Sequence, residues 1–327
     1  MKHKLKKSLE KKWWEKSFAR SNSRNLFSDQ SKIEDCEGYK KNFLSYIYST
    51  SNVGDEIQTI AQMQHIPKGA KIIGVNRDRA DQYRGPPAPL IANGWHLQDL
   101  SAWPMAEAIN PILISMFIRE TMNLNGRVGE FLHRHGPVGC RDTATVRLLE
   151  SAGIPSYFSG CLTLTLRNPY PESERGDYVV VCDAHLESAE EYPPSAPNLL
   201  KRFVPESILK NAIFVEHEVP GRGDSYSWKF RRAKELLILY AKAKLVITTR
   251  LHCALPCRAM GIPVLFLHKN YKSDPRFDGL RDVLLGHDED SSEIHVDWDN
   301  PKPLDISFIR DPLEDRLRKE IYRVTDQ

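Results

Sequence analysis

The sequence predicts an α/β protein built on parallel sheets, in two units with a cleft between them. Three observations carry that prediction. Short apolar runs rich in β-branched residues alternate with stretches of helical periodicity, the pattern of parallel strands joined by helices rather than of a sandwich. Several of these runs pass straight into turns of small or capping residues that open a helix, at Asn52-Val53-Gly54-Asp55, Cys140-Arg141-Asp142-Thr143 and Thr249-Arg250-Leu251-His252. The length of 327 residues exceeds one ordinary small domain and suits two medium ones, with no short fixed repeat.

The chain divides into a basic extension over residues 1–40, a first unit over 41–170, a second over 171–300 and a helical tail over 301–327. The extension is rich in Lys and Arg and carries Trp13-Trp14. A basic helix of this kind can lie on an anionic membrane surface, with lysines at the headgroups and indoles at the boundary. Its narrow apolar face favours instead a solvated extension whose tryptophans pack on the body. In the first unit, Phe43 to Tyr48 reads as a strand and Glu56 to His65 as a helix with Ile57, Ile60, Ala61 and Gln64 on one side. Lys71 to Val75, Pro89 to Ala92, Pro111 to Phe117 and Val138 to Cys140 follow as strands. A helix is expected around Arg127 to His133, and another over Thr143 to Ala152, stopped by Gly153 and Pro155.

The second unit follows the Pro- and Glu-rich loop Arg167 to Gly176. Strands are expected at Tyr178 to Cys182 and Ala212 to Glu216, with a long helix over Trp228 to Lys242. Leu245 to Thr249 is a β-branched run typical of a strand covered on both faces. Residues 253–260 then read as a helix stopped by Gly261 and Pro263, before a strand at Val264 to Leu267. Arg276 to Leu285 reads as a further helix. Pro312 to Tyr322 reads as a charged terminal helix capped by Asp311 that packs back across the molecule.

Composition narrows the function. A hydrophobic fraction of 41% and a charged fraction of 27% describe a globular protein. A net charge of +3 with no recognisable motif argues against nucleic acid as partner. No apolar run approaches a membrane span, and the N-terminus lacks a signal peptide's apolar core, so the expected location is cytoplasmic, at most peripheral at the inner membrane face. Of six cysteines, Cys253 and Cys257 lie one helical turn apart, but no second pair or suitably spaced histidine joins them. Buried free thiols are expected, and no metal.

The chemistry is expected at the turns. In open parallel sheets, ligands bind beyond the carboxyl ends of strands, where helix N-termini also point. Arg250 and His252 belong there, and a fixed cation beside an imidazole suits an anionic substrate that gains or loses a proton. A histidine in local capping and an arginine paired with a carboxylate would account for the spacing equally well. At the first turn, Gly54 permits a tight conformation and Asp55 is placed to cap the helix. The glycine count falls short of a nucleotide fingerprint. Arg141 either pairs with a neighbouring carboxylate or faces the cleft as a second cation for a small polyanion. His217 ends another strand and faces either the cleft or a loop.

Taken in order, Asn52-Val53-Gly54-Asp55, Cys140-Arg141-Asp142, Ala152-Gly153-Ile154-Pro155, Phe158-Ser159-Gly160-Cys161-Leu162-Thr163-Leu164-Thr165 and Thr249-Arg250-Leu251-His252 with Gly261-Ile262-Pro263 resemble the polysaccharide pyruvyl transferase family. The resemblance runs from about Phe43 to about Leu285. It implies two Rossmann-like domains facing a cleft, as in GT-B glycosyltransferases, with the acceptor side first and the donor side second. It also implies transfer of pyruvate from phosphoenolpyruvate, as a substrate with no further cofactor, onto a sugar of an exopolysaccharide or its precursor, as a ketal. That acceptor could be lipid-linked.

By that resemblance His252 is the acid/base residue and Arg250 its catalytic companion. Asn52, Gly54, Asp55, Arg141, Thr249, Leu251 and His217 would contact substrate, with a donor-site lysine at Lys269 or Lys272. The competing expectations are a nucleotide-sugar glycosyltransferase of the same architecture and a non-catalytic carbohydrate-binding protein. The loops from Asn76 to Pro89 and Asn93 to Pro104, with Trp95 and Trp103, would govern the acceptor.

Overall fold

The computed structural model of the chain describes residues 41–96, 103–119, 124–187, 196–219, 221 and 225–325. The basic extension, with Trp13, Trp14 and Cys36, lies outside the described residues, as does part of the loop from Asn93 to Pro104. The alternating pattern resolves into two parallel sheets. The first is formed by β1 (Asn42–Ile47), β2 (Lys71–Asn76), β3 (Ala88–His96), β4 (Ile109–Ile118), β5 (Val138–Cys140) and β6 (Ser156–Phe158), in the order β2-β1-β3-β4-β5-β6. Its helices are α1 (Gly54–Met63), α2 (Arg127–His135) and α3 (Thr143–Ser151).

The second sheet is formed by β7 (Val179–Cys182), β8 (Ile213–Val215), β9 (Leu245–Thr248) and β10 (Val264–Phe266), in the order β10-β9-β7-β8. Its helices are α4 (Pro197–Phe203), α5 (Glu206–Asn211), α6 (Tyr226–Ala241), α7 (Leu251–Ala259) and α8 (Arg281–Leu284), and α9 (Ser307–Thr325) closes the chain. The strands that read as unbroken apolar runs are covered on both faces: β4 is buried along almost its whole length, and β7 and β9 throughout.

Strand order decides where a site can form. In each sheet the first strand lies between the second and the third, so sheet growth reverses direction beside β1 and again beside β7. Crevices open at the carboxyl ends of strands at such switch points. The turns after β1, β7 and β9 therefore flank the two crevices.

The two units share a core. One apolar cluster joins Phe43, Val53, Ile57 and Ile60 to Val180, Leu236, Leu237 and Tyr240, and continues into Leu313, Leu317 and Ile321 of α9. Each such side chain contributes about 1.5–3 kcal/mol on full burial, so the tail helix is an integral part of the fold. Arg167 donates to Glu314, and the Arg316 guanidinium lies 5.0 Å from the Tyr157 ring centroid, which ties α9 to the first unit.

Helix α1 differs from the one-sided pattern expected of it. It is buried on every face from Gly54 to Gln62, because it is sandwiched between the first sheet and α6. Its polar residues are satisfied inside: Gln62 accepts from Ser45 Oγ at 2.8 Å and donates to the Ile91 carbonyl, and Thr59 Oγ1 donates to the Tyr46 carbonyl.

Two further expectations are corrected. The helix expected over Arg276 to Leu285 is reduced to a single 3₁₀ turn (Pro275–Phe277) and the short α8, because Gly279 interrupts it at φ +81°. A Cβ there would meet Phe158 and Thr143 at 2.9 Å, so the chain approaches the first unit closely at this glycine. The terminal helix starts at Ser307, capped by Asp305, which accepts from the Ser307 amide at 2.9 Å. Asp311 is interior and pairs with Arg310. Pro312 is tolerated because the carbonyl it leaves unbonded belongs to Phe308, an exposed residue. No described helix is long and apolar enough to cross a membrane.

Candidate active site

The turns after β1, β5 and β9 converge on one small cavity of about 90 Å³. Its lining includes Asn52, Asp55, Arg141, His217, Thr249, Arg250, Leu251 and His252, nearly all the residues singled out from the sequence. Gly54 closes the floor. A Cβ there would stand 3.3 Å from His252 Cβ and 3.4 Å from His217 Nδ1.

The turn after β1 is stitched to the loop after β8. The Val53 amide donates to the His217 carbonyl and the Val219 amide to the Ser51 carbonyl, each at 3.0 Å, and Asn52 and Glu218 form an isolated antiparallel bridge. Ser51 also hydrogen-bonds Glu218. Lys229 of α6 reaches the same turn. Fully buried, it donates to the Tyr48 and Thr50 carbonyls at 2.7 Å and pairs with the equally buried Glu56 at 2.9 Å. Asp55 does not cap α1. Its carboxylate accepts from Thr50 and Gln58, while Asn52 Oδ1 takes the Gly54 amide at 2.9 Å, so the asparagine supplies the local turn bond.

Arg141 follows β5 and is buried, its guanidinium 4.3 Å from the Phe117 ring centroid. Asp142 caps α3 through the Thr145 amide at 2.8 Å and stands 3.7 Å from Arg141 Nε. That nitrogen has no hydrogen-bond partner among the described residues. Trp95 Nε1, His217 Nδ1 and His252 Nε2, all on the same cavity lining, have none either. Buried polar atoms left unbonded cost on the order of 1–3 kcal/mol each, and four of them border this one cavity.

Arg250 is placed differently from the expectation that it holds an anionic substrate. Its guanidinium is bound to the buried Asp183 carboxylate and lies 3.5 Å from Glu218, so its charge is already balanced within the protein. Asp183 sits immediately after β7 at φ +58°, a left-handed conformation that aspartate tolerates, and also accepts from the His217 amide at 3.2 Å. It thereby fixes both Arg250 and the loop carrying His217. Neither Asp183 nor Glu218 was singled out from the sequence, although Asp183 occupies the same post-strand position as the other turns.

His252 occupies the first turn of α7 with φ −82° and ψ 17°, off the helical track, and lines the cavity. Burial, then Arg141, His217, Arg250 and Arg276, hold its pKa well below the ordinary histidine value. The resting imidazole is therefore neutral. Lys269 and Lys272 are both exposed and outside the lining, and Lys272 pairs with Asp288 at 3.5 Å. His268 and Arg276 line the cavity instead. Arg276 is held by Asp274, and burial and Arg276 lower the His268 pKa to about 4.

Residues 52–268 match the family model for polysaccharide pyruvyl transferases. The chain belongs to the polysaccharide pyruvyl transferase family. Two solved chains also match it. One of them, an uncharacterized protein of Klebsiella pneumoniae, is 14% identical with a TM-score of 0.43, over 72% of this chain and 87% of that one. Among curated proteins none matches the chain.

The five described cysteines of this family member are free and buried, as expected. One group of three metal-competent residues occurs among the described residues: Cys182, His217 and Cys253, with ligand atoms within 4.8 Å of one another. The Cys253 and Cys257 spacing gave no hint of it, because the partners come from β7 and the loop after β8. Here the Tyr240 hydroxyl engages both His217 Nε2, at 3.0 Å, and Cys182 Sγ, at 3.4 Å, so the group forms a hydrogen-bonded core cluster.

Proposed function

We propose that this protein transfers pyruvate from phosphoenolpyruvate to a sugar of a polysaccharide or its oligosaccharide precursor, forming a ketal. The observation that carries the reading is the cavity lined by Arg141, Arg276 and His252, bordered by buried nitrogens of Trp95, Arg141, His217 and His252 with no hydrogen-bond partner among the described residues, within a chain of the pyruvyl transferase family. The donor carries a carboxylate and a phosphate, about three negative charges near neutrality. Arg141 and Arg276 hold these ends. Arg250, already paired with Asp183 and Glu218, orders the wall.

The neutral resting state of His252 fits this chemistry. Burial, and then the surrounding cations, keep it from holding a proton, and a bound polyanion offsets that field in favour of the charged form. The imidazolium then donates to the donor's methylene, making the central carbon electrophilic for a sugar hydroxyl. A second hydroxyl displaces phosphate and closes the ketal. Asn52, Gly54, Asp55, Thr249 and Leu251 shape the floor and walls.

In this reading the first unit (41–170) presents the acceptor and the second (171–300) the donor, as two Rossmann-like units facing a cleft in GT-B fashion. The two sheets share a doubly wound order with the first strand between the second and the third, which supports two like units. A cavity of about 90 Å³ suits a small polyanion better than a nucleotide sugar. The test is phosphate release from phosphoenolpyruvate with a panel of oligosaccharide acceptors. Acceptor-dependent release is expected, and turnover of a nucleotide sugar with no such release would overturn the reading.

A further inference from the structure

We infer that His217 is a second catalytic residue, the base that takes the proton of the first attacking sugar hydroxyl, held in the required tautomer by Tyr240. The inference rests on the pyruvyl-transfer reading and adds a group that the reaction needs. Two hydroxyl protons must leave the acceptor, and His252, having given one proton to the methylene, takes back one of them, so a second acceptor accounts for the other.

The surroundings of His217 meet that need. Its side chain is fully buried yet borders the cavity, and its Nδ1 has no hydrogen-bond partner among the described residues. Nδ1 and His252 Cβ both approach the Gly54 position, and both histidines line the cavity. The backbone of His217 is fixed on both sides: its amide donates to Asp183 and its carbonyl accepts from Val53.

The tautomer follows from counting hydrogens. The Tyr240 hydroxyl is buried between His217 Nε2 and Cys182 Sγ, and it donates its one hydrogen to the sulfur at 3.4 Å. In the inferred state the Tyr240 hydrogen lies on Cys182 Sγ, so Nε2 carries the hydrogen of the 3.0 Å contact and donates it to the Tyr240 oxygen. Nδ1 is left as a bare lone pair facing the cavity. That is a base, preorganised without a carboxylate partner.

The step balances. The first hydroxyl's O–H bond breaks, its electron pair forms the bond to the donor's central carbon, and its proton goes to His217 Nδ1. Phosphate departs with the electrons of its C–O bond and takes that proton. The second hydroxyl closes the ketal and returns a proton to His252, whose own proton now sits in the new methyl group. Tyr240 touches no reacting atom and is a positioning residue.

The test is nitrogen NMR of ¹⁵N-histidine-labelled full-length protein, with the His217 signals assigned by their loss in His217→Gln. Nδ1 unprotonated and Nε2 protonated in the wild type is expected, with a shift toward a tautomer mixture in Tyr240→Phe. A protonated Nδ1 overturns the inference, as does stoichiometric zinc in the purified protein, which would occupy the Cys182, His217 and Cys253 cluster. In kinetics, His217→Gln should lose about a hundred- to ten-thousand-fold in turnover while phosphoenolpyruvate affinity is unchanged. Wild-type turnover in that variant overturns the inference but leaves pyruvyl transfer standing. Failure of phosphoenolpyruvate to bind the wild type would sink the transfer reading itself.

Discussion

His252 carries the proton chemistry in this account, and its environment makes two predictions at the residue scale. His252→Gln should bind phosphoenolpyruvate but lose about a hundred- to ten-thousand-fold in turnover, as read by phosphate release. Binding the donor should also draw a proton from solution, because the imidazole is neutral before binding and charged after it. By linkage, affinity then rises as pH falls from about 8 toward the donor phosphate's own second pKa near 6. Calorimetry in buffers of different ionisation enthalpy reads the uptake directly. Arg141→Ala should weaken donor binding, read in protein whose fold is checked by circular dichroism because the variant also takes the cation from beside the buried Asp142 that caps α3.

Post-strand position and residue type sufficed to find Arg141, Arg250 and His252. What they left out was pairing. The carboxylates that neutralise Arg250 come from the turn after β7 and the loop after β8, more than thirty positions away in sequence. Lys269 and Lys272 look as cationic in the chain as Arg276, and only the Gly279 turn and the 3₁₀ segment before it decide which of them reaches the cavity.

At the scale of elements, the clamp between α6 and the turn after β1 is the feature most open to test. Lys229 and Glu56 are both fully buried, and burial raises the Glu56 pKa to about 7 against the opposing pull of Lys229. Lys229→Met should cost about 3–5 kcal/mol by stranding the carboxylate. A raised carboxyl pKa means that the native state binds more protons than the unfolded chain, so stability is lost as pH rises from about 4.5 upward. The penalty in Lys229→Met should therefore be larger at pH 8 than at pH 5, as measured by urea unfolding. Strands β1, β4, β7 and β9 were legible because apolar runs mark strands covered on both faces. By contrast β6, Ser156–Phe158, is only partly buried and has no such run, and the faces of α1 were concealed because two layers cover it.

For the whole molecule, the shared core and the hydrogen bonds between the turn after β1 and the loop after β8 join the two units at the cavity. Removing α9 by ending the chain at residue 300 should destabilise both units together, because Leu313, Leu317 and Ile321 belong to the common cluster. A single cooperative thermal transition is expected for the intact protein, and two separate transitions would contradict a shared core. The alternation of strands and helices revealed the two-sheet architecture in advance, whereas the common core depends on contacts between distant segments that no local pattern encodes.

The central claim is that the cavity holds a small polyanionic donor and charges His252 on binding. Titrating phosphoenolpyruvate into the intact protein, beside a panel of nucleotide sugars, tests it most directly. The account predicts one donor bound per chain with uptake of a proton, weakened in Arg141→Ala, and no nucleotide-sugar binding. Binding of a nucleotide sugar alone, or of neither ligand, would contradict it.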